Sequence, residues 1–416
     1  MNAGQMRSTF LNFSPPSIGA EEISEVVDTL RSGWITTGPK VARFEREFAA
    51  FVGAPGALAL SSATAALHLA LVTLGIGPGD VVITTPMSFC SSAHVIEHVG
   101  ARPLLVDVEA DTLNIDPNRI RQAIGKQQKT TLEHGAVLGG RIKAILPVHL
   151  HGHPCDMEPI LEIAGEHELA VVEDAAHALP ARYKGRIIGS NSPSSPPVFT
   201  CFSFYATKNL TTGEGGMLIA NPAFLDEARV WSLHGMSRDA YKRYTSEGSW
   251  FYEVTGPGFK YNMTDIQAAI GLHQLQKLPR FQSRRREIVK RYNAAFRQYE
   301  ELQTPAERDD VEHAWHIYSL RLNTKRFGTA GAAQSVERNE FIDQLKARNI
   351  GASVHFIPIH LHPYYREKYG YKPADFPTAY AEYLRLLSLP LYPAMTDDDI
   401  DDVIQAVCDI VESSRR

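Results

Sequence analysis

The stretch Phe202-Ser203-Phe204-Tyr205-Ala206-Thr207-Lys208-Asn209, continuing to Gly213-Glu214-Gly215-Gly216, organises the chain. The apolar run Val198 to Phe204 reads as a buried strand, and it ends in a polar turn that carries one lysine. The glycines let the backbone fold back before a second apolar run, Met217 to Ala220. A lysine at the end of a buried strand is poorly solvated. That favours the neutral amine and its use as a nucleophile toward a carbonyl. Taken alone, the same pattern also describes a surface lysine in a hairpin.

The stretch Leu169-Ala170-Val171-Val172-Glu173-Asp174-Ala175-Ala176-His177-Ala178 separates these readings. It is a second apolar strand, ending in an acidic residue and a histidine. A lysine to form a Schiff base and a carboxylate to face a pyridinium nitrogen are the two groups that pyridoxal phosphate (PLP) most needs from a protein.

These residues resemble the DegT/DnrJ/StrS family of PLP-dependent sugar aminotransferases, which have the aspartate-aminotransferase fold (fold type I). The resemblance runs from about Ser32 to about Thr396. It is carried by Ser32-Gly33-Trp34-Ile35-Thr36-Thr37-Gly38-Pro39-Lys40, Ser61-Ser62-Ala63-Thr64-Ala65, Glu173 to Ala178, Gly258-Phe259-Lys260-Tyr261-Asn262 and His313-Ala314-Trp315-His316. Within the family the motifs are most similar to those of the enzymes that aminate UDP-4-keto-pentoses.

Composition sets bounds independently of that likeness. The chain has 416 residues, enough for two or three domains, with 44% hydrophobic and 21% charged residues. Its formal net charge of −5 gives no global basic field for nucleic acid or an anionic membrane, so a phosphate-bearing ligand needs local groups. Cys90, Cys155, Cys201 and Cys408 are scattered, which argues against a disulfide scaffold or a zinc knuckle and suits a reducing cytoplasm. The N-terminus shows no signal-peptide pattern. The apolar region Ala57 to Ile76 is interrupted by Ser61, Ser62, Thr64, His68 and Thr73, so a strand and a buried helix are expected there, not a membrane span.

From Ala57 onward short Val/Ile/Leu runs alternate with helical patterns. This predicts an α/β fold with a mostly parallel sheet covered on both faces, seven-stranded if the fold is type I. In such sheets ligands sit at the carboxyl ends of strands. Residues 1–264 are expected to form a large PLP-binding domain and residues 265–416 a smaller C-terminal α+β domain with linking helices. Met1 to Phe13 reads as a loose or partner-docked arm. Ile266 to Leu278 and Arg284 to Tyr299 read as separate helices, with Arg284-Arg285-Arg286 as a solvated face. A further short element is expected at Val354 to Ile357. Lys126 to Arg141 and Ser190 to Pro197 read as inserted surface loops.

Ser61-Ser62-Ala63-Thr64 lies between strand and helix, where free N–H groups and the helix dipole favour an anion, although a plain Ser/Thr helix cap is, taken alone, the commoner reading. The resemblance implies that Ala63 and Thr64 contact the PLP phosphate, with Ala63 in place of the usual glycine, and that Ser203 adds a hydroxyl. It implies that Phe89 stacks on the ring, that Asp174 pairs with the ring nitrogen, and that His177 lies near the ring or its phenolic oxygen. It also implies that Lys208 forms the Schiff base, which favours transamination over the dehydration run by relatives with histidine there. Asn262 would reach the phosphate of a neighbouring subunit, which requires a homodimer with shared sites. Thr36, Thr37, Lys260 and His355 are candidate substrate contacts. His149, His151 and His153 alternate as on one strand face, but no completing ligand set argues for metal, and none is assigned. His151 stands where the family carries an aromatic residue, and Tyr205 where the nearest branch carries histidine.

The expected function is PLP-dependent transfer of the amino group of glutamate to a nucleotide-linked keto sugar, in a cytoplasmic enzyme. The alternatives are a same-fold aminotransferase acting on a non-nucleotide ketone and a non-catalytic PLP-binding regulator.

Overall fold

The computed structural model describes residues 7–134, 140–190, 196–236, 251–323 and 337–415. Strands β1 (Leu58–Leu60), β2 (Asp80–Thr84), β3 (Arg102–Leu105), β4 (Arg141–Ile145) and β5 (Ala170–Asp174) alternate with helices Ala63–Thr73, Ser91–His98, Pro117–His134 and Met157–Glu166. A short hairpin, β6 (Arg182–Tyr183) and β7 (Arg186–Ile187), precedes β8 (Val198–Ser203) and β9 (Gly216–Ile219). Seven strands form one sheet in the order β1-β9-β8-β5-β4-β2-β3. Every pairing from β8 to β3 is parallel, and β9 alone runs antiparallel to both its neighbours. Strands β2, β5 and β9 are buried along their full length, as a sheet covered on both faces demands. The carboxyl ends of β5 and β8 therefore deliver Asp174 and Ser203 at one edge of the sheet.

Helix Ala63–Thr73 is buried on nearly every side, which explains its all-round apolar sequence. Among the described residues no helix is long and apolar enough to cross a membrane.

Residues Ile266 to Tyr299 do not form two helices. One helix, Asp265–Phe296, runs through Pro279. Its first half packs Leu272, Leu275 and Leu278 against Val41, Phe44 and Phe48 of helix Pro39–Val52. Its second half places Ile288, Val289, Tyr292 and Phe296 in another core. Burial on both sides of the proline outweighs the one hydrogen bond it removes. The basic run is not a solvated face either. Arg285 is fully buried, and its guanidinium donates to the carbonyls of Trp315 (3.1 Å), His316 (3.4 Å) and Leu391 (2.7 Å). Spacing alone could not reveal that the helix turns this residue toward a loop from elsewhere.

The second core is built on β10 (Leu302–Gln303), β12 (Tyr318–Leu322) and β13 (Leu386–Leu389), which form a three-stranded antiparallel sheet, with helices Arg338–Ala347 and Asp397–Ser414 against it. Strand β11 (Val311–Glu312) instead joins β6. The arm is docked on its own chain. Leu11 is buried in the second core and bridges to Ile350, and Arg7 pairs with Asp399 and Asp402. Residues 1–6 lie outside the described residues.

Three further expectations change. Helix Pro117–His134 runs through most of the stretch read as the first inserted loop, while 135–139 and most of the second insertion, 191–195, lie outside the described residues. Residues Val354 to Ile357 form no strand. Ser353 pairs with Ser388 through two backbone hydrogen bonds, and the chain then turns away before Pro358, which cannot donate to a ladder. The three alternating histidines do not share a strand face. Strand β4 ends at Ile145, and Leu150–Gly152 is a 3-10 turn in which His151 takes φ +59°.

Candidate active site

Lys208 is placed by the loop between β8 and β9. Phe204 N–H donates to Gly215 O (2.8 Å) and Thr212 N–H to Phe204 O (2.9 Å), which closes the loop and turns Lys208 back over the sheet edge. Gly216 must be glycine, because a Cβ there would come within 2.4 Å of the Ser62 carbonyl carbon and 2.5 Å of Ala63 N. Strand β9 is thereby pressed against the turn that starts helix Ala63–Thr73.

The result is a cavity of about 480 Å³, within the range of small-molecule sites. It brings together Ala63, Thr64, Phe89 and Asp174 from the sequence expectations, and His177, Ser203, Lys208 and His355 as well. Lys208 Nζ makes no hydrogen bond or ion pair with the described residues. Desolvation pushes its amine down to about 8, against the opposing pull of the Asp174 charge.

Asp174 ends β5 and is buried. One carboxylate oxygen accepts from Ser92 Oγ (2.7 Å) and the other from Ala176 N–H (3.1 Å). Ser88 Oγ lies 2.6 Å from Ser92 Oγ and extends this chain. Burial raises the Asp174 carboxyl, while Ser92, the Ala176 amide and the Lys208 charge pull it back toward ionisation.

At the other end, Ser62 caps the helix by accepting from Ala65 N–H (3.0 Å). The N–H groups of Ala63 and Thr64 find no acceptor among the described residues, as expected of a first helical turn. With the Thr64 and Ser203 hydroxyls beside them, they form an anion donor set at a helix N-terminus. This donor set, a free amine and a buried carboxylate in one cavity match what PLP requires, so the residues present fit that group.

Two histidines have fixed tautomers. His177 Nδ1 accepts from His151 N–H (3.2 Å), so its Nε2 carries the proton. Asn209 Nδ2 donates to the carbonyls of Leu179 (2.9 Å) and Ala314 (2.8 Å), so its Oδ1 accepts from His316 Nδ1 (3.2 Å) and His316 Nε2 is left as an acceptor. The rings lie 4.5 Å apart. Burial, then the Lys208 charge, holds both well below the usual histidine range. His355 Nδ1 meets Ser388 Oγ (2.9 Å), and its ring stacks on Phe13 at 5.1 Å. Phe89 stands at the mouth, 59% exposed and 5.9 Å from Phe356.

The structure does not bring Thr36, Thr37, Lys260 or Asn262 to this cavity. The last three form a separate cluster, in which Asn262 Nδ2 donates to Thr37 Oγ1 (2.7 Å) and Lys260 Nζ donates to Asn262 Oδ1 (2.5 Å). Thr36 is exposed, and its carbonyl accepts from Asp265 N–H (3.0 Å). Sequence reasoning missed Ser92, His316 and Phe13. Ser92 follows the strand β2 and carried that signal, whereas the other two arrive from segments distant in the chain. Among the described residues no three His, Cys, Asp or Glu side chains converge as metal ligands. His149 is spent on Glu173 (2.8 Å) and His151 on the His355 carbonyl (2.7 Å).

The chain is similar over its whole length to known proteins. A model of the DegT/DnrJ/EryC1/StrS aminotransferase family matches residues 16–408. The spore coat polysaccharide biosynthesis protein SpsC of Bacillus subtilis is 54% identical over 412 residues, covering 99% of both chains. Spr1654 from Streptococcus pneumoniae, described as a candidate sugar aminotransferase and solved in its PLP form, has a TM-score of 0.84 at 36% identity, covering 97% of this chain and 99% of that one. PseC from Helicobacter pylori, an aminotransferase in pseudoaminic acid biosynthesis, has a TM-score of 0.82 at 25% identity, covering 98% of this chain and 100% of that one. With its type I fold and its amine, carboxylate and anion turn in one cavity, the chain belongs to the DegT/DnrJ/EryC1/StrS aminotransferase family and is a PLP-dependent aminotransferase.

Proposed function

We propose that the protein moves the amino group of glutamate to the ketone of a nucleotide-linked 4-keto sugar, in two half-reactions, in the cytoplasm. The observation that carries this reading is the free, desolvated Lys208 amine in one cavity with Asp174. The roles of SpsC in a polysaccharide pathway and of PseC in pseudoaminic acid synthesis support a sugar acceptor. When bound, PLP supplies a carbonyl for the lysine and a pyridine ring that draws electrons from the carbon losing its proton.

The residues divide the work. The Ala63 and Thr64 amides and the Thr64 and Ser203 hydroxyls would hold the phosphate. Asp174 would accept a hydrogen bond from the ring nitrogen and keep it protonated. Phe89 would cover a ring face. His177 Nε2–H would donate toward the phenolic oxygen. Lys208 Nζ would take the proton from the donor carbon as general base and give it back as general acid.

Asn262 serves the cavity of a second copy, which makes the protein a homodimer. Two features support this. Asn262 with Thr37 and Lys260 lies outside its own cavity, and Trp34 Nε1 donates to Thr37 O (3.0 Å). Beside that cluster, exposed Trp34 and Ile35 follow a helix whose Ile23, Val27 and Leu30 also stand exposed, at helical spacing.

The amine of Lys208 must shed its proton before it attacks, and its folded value is lowered to about 8. The rate at which apoprotein acquires the visible PLP band should therefore rise about tenfold per pH unit up to about pH 8 and level above it. Stopped-flow mixing across that range reads it, and a flat profile below pH 8 would remove Nζ as the attacking group.

The functional reading is tested on holoenzyme by spectroscopy. Glutamate should bleach the visible band, and a UDP- or dTDP-4-keto sugar should restore it. Initial-rate plots should be parallel, as for ping-pong kinetics. If a simple ketone restores the band and no keto-sugar nucleotide does, the acceptor assignment is wrong.

A further inference from the structure

His151 is buried and takes part in no step above. Three stretches meet on it. Its N–H donates to His177 Nδ1 (3.2 Å). Its carbonyl accepts from the N–H groups of His316 (3.1 Å) and Ile317 (3.2 Å). Its side-chain Nε2 lies 2.7 Å from the His355 carbonyl oxygen. A carbonyl only accepts, so Nε2 carries the proton. Each of the three stretches supplies cavity wall, namely His177, then His316 and Ile317, then His355 and Phe356.

The backbone bonds would survive a change of side chain, but the Nε2 bond would not. It anchors the peptide just before Phe356. That ring stacks on His177 at 5.7 Å and 24°, and stands 5.9 Å from Phe89. His355 itself stacks on Phe13 at 5.1 Å. The stretch around His355 is held before it by the Ser353–Ser388 backbone pair and after it by Ile359 N–H donating to Pro86 O (2.8 Å), and between these two points the His151 Nε2 bond holds the His355 carbonyl.

We propose that His151 is a positioning residue: its Nε2–H bond to the His355 carbonyl holds Phe356 against His177 and Phe89 and so shapes the acceptor side of the cavity. Burial pushes the imidazole down to about 3, so the neutral ring makes this bond throughout the working pH range. The claim about the acceptor rests on the keto-sugar reading above. The claim about the tether does not.

The test uses the PLP-loaded protein as wild type, His151→Asn and His151→Gln. Asparagine tolerates the positive φ of this turn but stops short of the His355 carbonyl. Glutamine reaches about as far as Nε2 and restores a donor. Hydrogen exchange in a peptide covering 351–359 should quicken about tenfold in the asparagine variant, the worth of one buried hydrogen bond, and stay within about twofold of wild type in the glutamine variant. The KM for the keto-sugar nucleotide should rise about tenfold in the asparagine variant with kcat within about threefold, and recover with glutamine. Bleaching of the visible band by glutamate should keep its wild-type rate in both. Exchange is read without substrate, so it decides the tether even if wild type turns over no keto-sugar nucleotide, a result that would sink only the acceptor reading. Unchanged exchange in the asparagine variant, or equal quickening in both variants, overturns the proposal.

Discussion

Replacing Lys208 with alanine should abolish the visible PLP band and lower kcat by about 10⁴-fold or more, because one group serves as both nucleophile and proton carrier. The surroundings offer no substitute. His177 and His316 line the same cavity, but neither is an amine, His177 Nε2 already carries a proton, and burial holds both rings well below the usual histidine range, which makes His316 Nε2 a poor base. The variant should fold. Lys208 Nζ makes no hydrogen bond with the described residues, and burial already disfavours its charge, so truncation removes an unfavourable group and leaves no partner stranded. The melting temperature of the apoprotein should therefore hold or rise. Absorption spectra with and without glutamate, beside a melting curve, check both halves. A variant that keeps the band and more than about 1% of kcat would show that another amine does this work.

Replacing Asp174 with asparagine should lower kcat/KM by about 10³-fold while PLP still binds, as expected where a buried charge is aimed at charge that develops in the reaction. The carboxylate has two oxygens, each with a donor already in place: Ser92 Oγ at 2.7 Å and Ala176 N–H at 3.1 Å. Asparagine keeps the shape but offers one acceptor oxygen for two donors, and it presents N–H groups where a ring nitrogen needs an acceptor. The ring should then lose its proton and its power to draw electrons. Steady-state kinetics and the retained band together make the check. A loss below about tenfold would mean that Asp174 only caps the end of β5.

Much of this site was legible before any fold was known. Ala63, Asp174 and Ser203 sit at or just past the ends of β1, β5 and β8, and apolar runs locate strand ends well. Lys208 was legible only beside the second strand end, Glu173 to His177, and the family resemblance, since a polar turn after an apolar run also describes a surface lysine. Phe13 and His316 were not, since each belongs to a segment that joins the cavity only when the second core docks on the sheet. Arg285 was misread for the same reason. Its three carbonyl partners come from residues 30, 31 and 106 positions away, so its own helix pattern carries no trace of them.

The amino-acid sequence by itself determined the parallel sheet and the strand ends that carry the amine, the carboxylate and the Ser61–Thr64 turn, because period and strand-end position are local properties of the chain, while the roles of those groups came from the family resemblance. Only the tertiary structure decided which histidine nitrogens carry protons, that the helix Asp265–Phe296 runs unbroken through Pro279, and that Asn262 stands with Thr37 and not in its own cavity. Those outcomes depend on hydrogen-bond partners and packing surfaces far apart in the chain. The free energy that selects them exists only once both cores have formed around the cavity.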